Sequence, residues 1–267
     1  SDRLVLGSTL DLPLGPGLME AGTAIAITIT VDGATGALRW PETGAFPLGA
    51  RSTLGPLRIA FVPVVSRGVA PTIGPVELDA YRTRLIDLLP ISELELSVLV
   101  PETFDGDLCL GAELPNLRLA ILARRAADAP PDGVFYAGVF QLRDFHCTGL
   151  GGIAASGLDD PRERGVAVYG IDPATTRDSP SILAHELGHV LGRAHAPCGM
   201  PLEPDPAYPY ASSLVGVTGW SAARDRVFDP TLYTDIMGYC EPRWISDYTY
   251  AALFDAIVHV HATEAAP

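Results

Sequence analysis

The sequence predicts an α/β (α+β) fold in which a sheet carrying helices is followed by an irregular second half, with a short β-rich segment in front. Three observations point there. Apolar runs of strand length alternate with helical periodicities from Leu57 to about Tyr169. A β-branched run stands alone near the N-terminus. A helix-length segment bearing three histidines is followed by a long Pro/Gly/Tyr-rich stretch. Two domains are expected, a β-rich N-terminal accessory segment over 1–55 and a larger domain over 56–267.

Taken in order, Ala24 to Val31 is a β-branched run ended by the turn signal Asp32-Gly33. Leu57 to Val62 reads as a buried strand. Pro75 to Leu89 reads as a helix, with Val76, Leu78, Leu85, Ile86 and Leu89 near helical spacing and Pro75 in the first turn, where its missing N–H costs nothing. Glu93 to Val100 alternates as a strand, Asn116 to Ala127 is helical, and Val134 to Phe140 is the next strand. Gly151 to Gly157 and Gly165 to Gly170 each have the length of a short strand. A helix over about Pro180 to Leu191, an irregular stretch from Ala196 to Tyr233 and a closing helix from Asp247 to about His259 complete the chain. Strands alternating with helices predict a mainly parallel sheet, because parallel neighbours need crossover connections.

Composition narrows the function classes. With 48% hydrophobic residues in 267, the chain can bury a sizeable core. Acidic side chains outnumber basic ones 32 to 18, a formal net charge of -14, and every basic residue is Arg. A field of that sign excludes nucleic acid as the expected partner, since phosphate binding needs cationic surface. The four cysteines, Cys109, Cys147, Cys198 and Cys240, contain no CxxC pair. Two disulfides in an oxidising compartment are one account and four buried thiols the other. No run approaches the roughly 18 apolar residues of a membrane span. Ser1-Asp2-Arg3 lacks an export-signal pattern, so the expectation is a secreted or extracytoplasmic monomer whose signal is absent from this sequence.

The chemistry lies in Ser181 to His195, which contains HExxHxxGxxH. Residues four apart on a helix share a face, so His185 and His189 reach one ion together. Gly192 lets the helix stop with a positive φ, freeing His195 to swing round as third ligand. Asp178 or Ser179 caps the start. Imidazole nitrogens suit zinc at roughly 2.0–2.1 Å, three protein ligands leave a position open, and Glu186 beside it is placed to take a proton from water. Chance placement yields this extended pattern in about one such chain in 70,000.

The motif, together with Thr234-Asp235-Ile236-Met237-Gly238-Tyr239, resembles the metzincin clan of zinc endopeptidases, whose signature pairs it with a methionine turn. The resemblance is strong over Pro180 to Tyr239 and softer from Leu57 onward. It implies a two-lobed catalytic domain with a twisted mixed sheet, a zinc helix at the cleft floor and an irregular C-terminal lobe. It further implies that Met237 underlies the imidazoles, against plain core packing as the alternative. Tyr239 matches a tyrosine that helps bind the metal or the oxyanion; a buried tyrosine bonded to backbone is the other reading. Gly152, Ile153, Ala154 and Ala155 fall where related enzymes have an antiparallel edge strand that binds extended substrate, and Cys240 to Trp244 would wall the primed side. Ala196 departs from the Glu of astacins and the Asp of reprolysins, and secreted bacterial members of the gametolysin-like and mucin-degrading kinds are nearest.

The expected activity is therefore a zinc-dependent endopeptidase acting on protein or glycoprotein. A surface-binding or adhesion protein with an accessory peptidase, and a zinc hydrolase of a non-peptide amide, are the rivals. A Cys198–Cys240 bridge would tie the ligand loop to the methionine turn and leave Cys109 with Cys147, though four cysteines allow three pairings. The acidic pairs Asp105/Asp107 and Asp159/Asp160 admit calcium but lack an EF-hand register. His146, His259 and His261 read as solvated or loosely packed.

Overall fold

The computed structural model describes residues 20–30, 32, 36–108, 112–141, 151–171, 179–221 and 223–264; Cys109, His146, Cys147 and Asp178 lie outside the described residues. The chain divides into two compact units, the first ending at Ser52 and the second running on from Thr53. In the first, β1 (Ala24–Ile25) pairs with β4 (Phe46–Pro47) and β2 (Ile27–Thr30) with β3 (Ala37–Trp40), all antiparallel. None of its described residues is buried, and Trp40 packs on Phe46 with ring centroids 5.1 Å apart.

The second unit is a mixed helix and sheet structure built on five strands. Its central strand, β5 (Leu57–Ser66), pairs with β6 (Leu94–Val98) along its first half and β7 (Glu102–Phe104) along its last residues. On the other side β8 (Val134–Gln141) and then β9 (Gly165–Ile171) complete the order β6-β5-β8-β9. Every pairing is parallel. Strands buried on both faces need no polar alternation, which is why β5 from Ile59 to Val65 and β8 from Val134 to Phe140 read as runs without a charged residue.

Alternate residues point to opposite faces and build two cores. Leu57, Ile59, Phe61, Phe135, Ala137 and Val139 face α1 (Pro75–Leu88), α3 (Ser179–Val190) and α4 (Asp247–Glu264). Ala60, Val62, Val64, Tyr136 and Phe140 face Leu114, Leu117 and Ile121 of α2 (Leu114–Asp128). Helix α1 starts as expected, with Pro75 in the first turn and the Glu77 carboxylate accepting from the Gly74 N–H at 2.8 Å. It turns differently from the expected face. Tyr81, Leu85 and Leu88 are buried, whereas Val76 is 78% exposed.

Two expectations need correction. The ladder is wholly parallel among the described residues rather than mixed. Gly151 to Gly157 forms no strand, and only Ile153 makes a lone bridge. The chain is held there by a side chain instead. Arg164, 1% exposed, donates to the carbonyls of Gly157 at 3.3 Å, Leu158 at 3.2 Å and Asp132 at 2.8 Å, and the Gly157 N–H donates to the Val190 carbonyl at 3.0 Å, so the end of the segment is tied to a guanidinium and to helix α3.

Helix α4 runs past the expected end to Glu264, and its two histidines differ. His259 is 48% exposed, while the His261 side chain is 9% exposed, with its ring against Gly55 and a buried Nε2 that has no hydrogen-bond partner among the described residues. Burial lowers the His261 pKa, and Glu264 opposes this only in part. The unfolded chain therefore protonates first as pH falls below about 6.5, so the stability present above that pH is lost toward acid. The stability gap between His261→Leu and the parent is expected to shift in favour of the variant by up to about 1 kcal/mol between pH 7.5 and 5.5. Urea midpoints at the two pH values measure it, and a pH-independent gap would count against an uncharged buried ring.

Candidate metal centre

Helix α3 ends in the way the third histidine requires. Gly192 takes φ +83°, its N–H donates to the His189 carbonyl at 2.9 Å, and the Arg193 N–H donates back to Gly188 at 2.8 Å. This is a Schellman closure, whose left-handed residue costs a glycine little. It reverses the chain and brings His195 over the helix end.

All three imidazoles are oriented by main-chain carbonyls. Nδ1 of His185 lies 2.8 Å from the Ile236 oxygen, that of His189 2.8 Å from Arg193 and that of His195 2.9 Å from Leu202. A carbonyl only accepts, so each Nδ1 carries the proton and each Nε2 is left with a bare lone pair. Those lone pairs converge. His189 Nε2 stands 3.1 Å from Nε2 of both His185 and His195. Nitrogens bound at 2.0–2.1 Å to a tetrahedral ion stand about 3.3 Å apart, so the spacing fits a shared cation, and without one the lone pairs repel. The three residues form a group that can hold a metal ion.

The surroundings keep His185 and His189 uncharged. Burial, with His189 close by, pushes the His185 pKa down to about 3, and burial with His195 pushes His189 down to about 4. Neither needs to shed a proton to accept a metal at neutral pH. Glu186 is 5% exposed, and burial raises its carboxyl to about 8. Burial is the cause, and a divalent cation nearby would oppose it.

Met237 is 1% exposed and its sulfur presses on Gly188, where a Cβ would come within 2.4 Å of Sδ. The side chain therefore lies against helix α3 at Gly188, the residue before His189. Tyr239 is half exposed, with its hydroxyl 2.8 Å from His195 Nε2. Burial raises its pKa and the nearby Glu186 adds to that, so the phenol stays protonated as a donor. Its N–H donates to Cys198 at 2.9 Å, and Cys198 is disulfide-bonded to Cys240, joining the loop after His195 to the methionine turn.

The substrate-binding expectations divide. Gly152 packs on Glu186 so closely that a Cβ would meet Oε1 at 2.6 Å, which places it over the carboxylate. Ile153 and Ala154 are half-buried and pack against the two cores, and Ala155 is exposed. Trp244 is corrected: at 3% exposure it stacks on Phe228, 3.9 Å between centroids, and belongs to the core. It also borders a cavity of about 600 Å³ with Ile86, Trp220 and Tyr250, which none of the three histidines lines. Of the acidic pairs, Asp107 stands 3.3 Å from Arg67 and Asp160 2.9 Å from Arg162.

The carbonyls of Arg193, Leu202 and Ile236 escape sequence reasoning, since any residue supplies one. Two carboxylates behind them are also unmarked in the sequence. Asp205 accepts from Arg193 at 3.1 Å and from the Tyr248 hydroxyl at 3.0 Å, while its N–H donates to the His195 carbonyl at 2.7 Å. Asp235 is fully buried in the methionine turn.

No protein-family model matches the chain, and no curated protein matches it. Among solved structures it is similar to one titled "Structure of a chaperone-substrate complex", at 14% identity and a TM-score of 0.41; the match covers 78% of this chain and 35% of that one. No helix among the described residues is long and apolar enough to cross a membrane.

Proposed function

We propose that the chain is a zinc-dependent endopeptidase of the metzincin kind. The observation that carries this reading is the convergence of three imidazole Nε2 atoms, with spacing suited to one ion, two of them from the helix that also bears Glu186 and the third from His195 just beyond its end. Three imidazoles of borderline softness favour zinc over the oxygen-seeking cations. A zinc ion held by His185, His189 and His195 would supply Lewis acidity, polarising a scissile carbonyl and lowering the pKa of water to about 7.

The chain's own groups do the rest. Glu186 takes the proton of the attacking water and passes it to the leaving amine. Gly152 covers this carboxylate and shields it from bulk water. The Tyr239 hydroxyl, beside His195 and half exposed, donates to the oxygen that becomes negative as the carbonyl is attacked. The Cys198–Cys240 bridge supports an extracytoplasmic setting, because reducing compartments do not maintain structural bridges.

Incubating the purified protein with an unfolded protein substrate is expected to give fragments. Cleavage should stop with a chelator and return when zinc is restored. A zinc-loaded preparation that leaves unfolded proteins intact, or cleavage indifferent to chelation, would overturn the reading.

A further inference from the structure

Asp235 lies on β12 (Thr234–Asp235), which pairs in parallel with β13 (Arg243–Trp244), and its side chain is closed off from solvent. One carboxylate oxygen accepts from the Met237 N–H at 2.7 Å and the other from the Ser246 N–H at 2.9 Å. Its carbonyl accepts from Gly238 at 2.9 Å. Ser246 in turn caps α4, its Oγ accepting from the Thr249 N–H at 3.0 Å. A single anion thus closes the methionine turn and fastens it to the start of the last helix.

Within that closed turn stands Ile236, whose carbonyl receives the His185 Nδ1–H. The next carbonyl, of Met237, receives the N–H of Ala196, the residue following His195. The peptide unit that aims His185, and the one that anchors the backbone just after His195, therefore hang on the grip of Asp235. Two bonds to a carboxylate, out of water, hold more firmly than neutral ones.

We propose that Asp235 is a positioning residue for the metal. It touches no imidazole, yet by fixing the 235–237 turn it sets the direction of the Ile236 carbonyl and so the tautomer and aim of His185. This deepens the metal-centre reading above and rests on it. Acceptors behind histidine ligands typically change metal affinity by about 10–100-fold when removed.

The test is titration of the chelator-stripped full chain with Co²⁺, reading both affinity and the visible absorption band, alongside denaturation of the metal-free protein. Asp235→Asn preserves shape but turns an amide N–H₂ toward a backbone N–H. It is expected to weaken Co²⁺ binding by about 10–100-fold and to alter the band. Asp235→Ser keeps an acceptor near the Met237 N–H and loses the one for Ser246, so it should weaken binding less, by roughly threefold or more. If the Asn chain does not fold, the Ser chain decides. A folded variant with the parent's affinity and band shape overturns the proposal, even if its metal-free form is less stable. A parent that binds no Co²⁺ or Zn²⁺ would instead defeat the metal-centre reading itself.

Discussion

Glu186→Gln is expected to lower turnover of a peptide substrate by about 10²–10⁴-fold while the protein still binds one equivalent of zinc. Gln matches the carboxylate in shape, so it fits beneath the Gly152 backbone, where there is no room for more. None of the carbonyl bonds that orient the three imidazoles passes through residue 186, so the metal group should persist. What disappears is the only function the proposal gives this side chain, accepting a proton and returning it. Steady-state kinetics with metal analysis of the same sample measures both halves. Loss of metal together with activity would make Glu186 structural, and retained activity would remove it from the mechanism.

The second large effect concerns His189, which stands between the other two, 3.1 Å from each. A structural zinc site worth roughly 10–16 kcal/mol over four ligands implies about 3–4 kcal/mol per ligand, so His189→Ala should weaken zinc binding by about 10²–10³-fold. Linkage makes this visible in stability. Zinc at a thousand times its Kd stabilises the parent by about 4 kcal/mol, and the variant at that same concentration by far less. The metal-free proteins should differ little by comparison, because removing His189 also relieves the repulsion between converging lone pairs. Chemical denaturation with and without zinc checks all three statements. A variant stabilised by zinc as strongly as the parent would place the ion elsewhere.

The parts of the molecule legible in its sequence are those where local chemistry and tertiary packing agree. Leu57 to Val62 is apolar on both faces because helices cover both, and the observed strand only extends it to Ser66. Gly192 could be assigned its left-handed conformation because the geometry of a third ligand demands a chain reversal there, and its φ is +83°. The alternation at Leu94, Leu96, Val98 and Val100 misled about depth: β6 is an edge strand that ends at Val98, and Val100 is 72% exposed. The Gly151 to Gly157 segment has a strand's length, but its last carbonyl is taken by the Arg164 guanidinium, a contact that no strand periodicity records. The antiparallel pair β10 (Gly219–Ser221) and β11 (Arg226–Phe228) has strands of three residues, too short for periodicity to register. Resemblance places Trp244 on a cleft wall, whereas its burial and its stacking on Phe228 set it in the core.

At the candidate centre, the donors were readable and their orientation was not. His185 and His189 follow from helical spacing, and His195 from the glycine at 192 that lets the chain reverse. Asp235 could not be separated from the chain's 31 other acidic residues without knowing which backbone amides turn toward it.

Because peptide oxygens, rather than side chains, aim the three rings, the instructions for the centre are written mainly in the path of the chain. Positions 193, 202 and 236 can exchange one residue type for another and still present the same acceptor. Proline scanning, which alters that path, should therefore disturb this centre more than alanine scanning at the same positions. A lineage could drift far in amino-acid identity around such a centre and keep it working, provided the loops continued to bend in the same places.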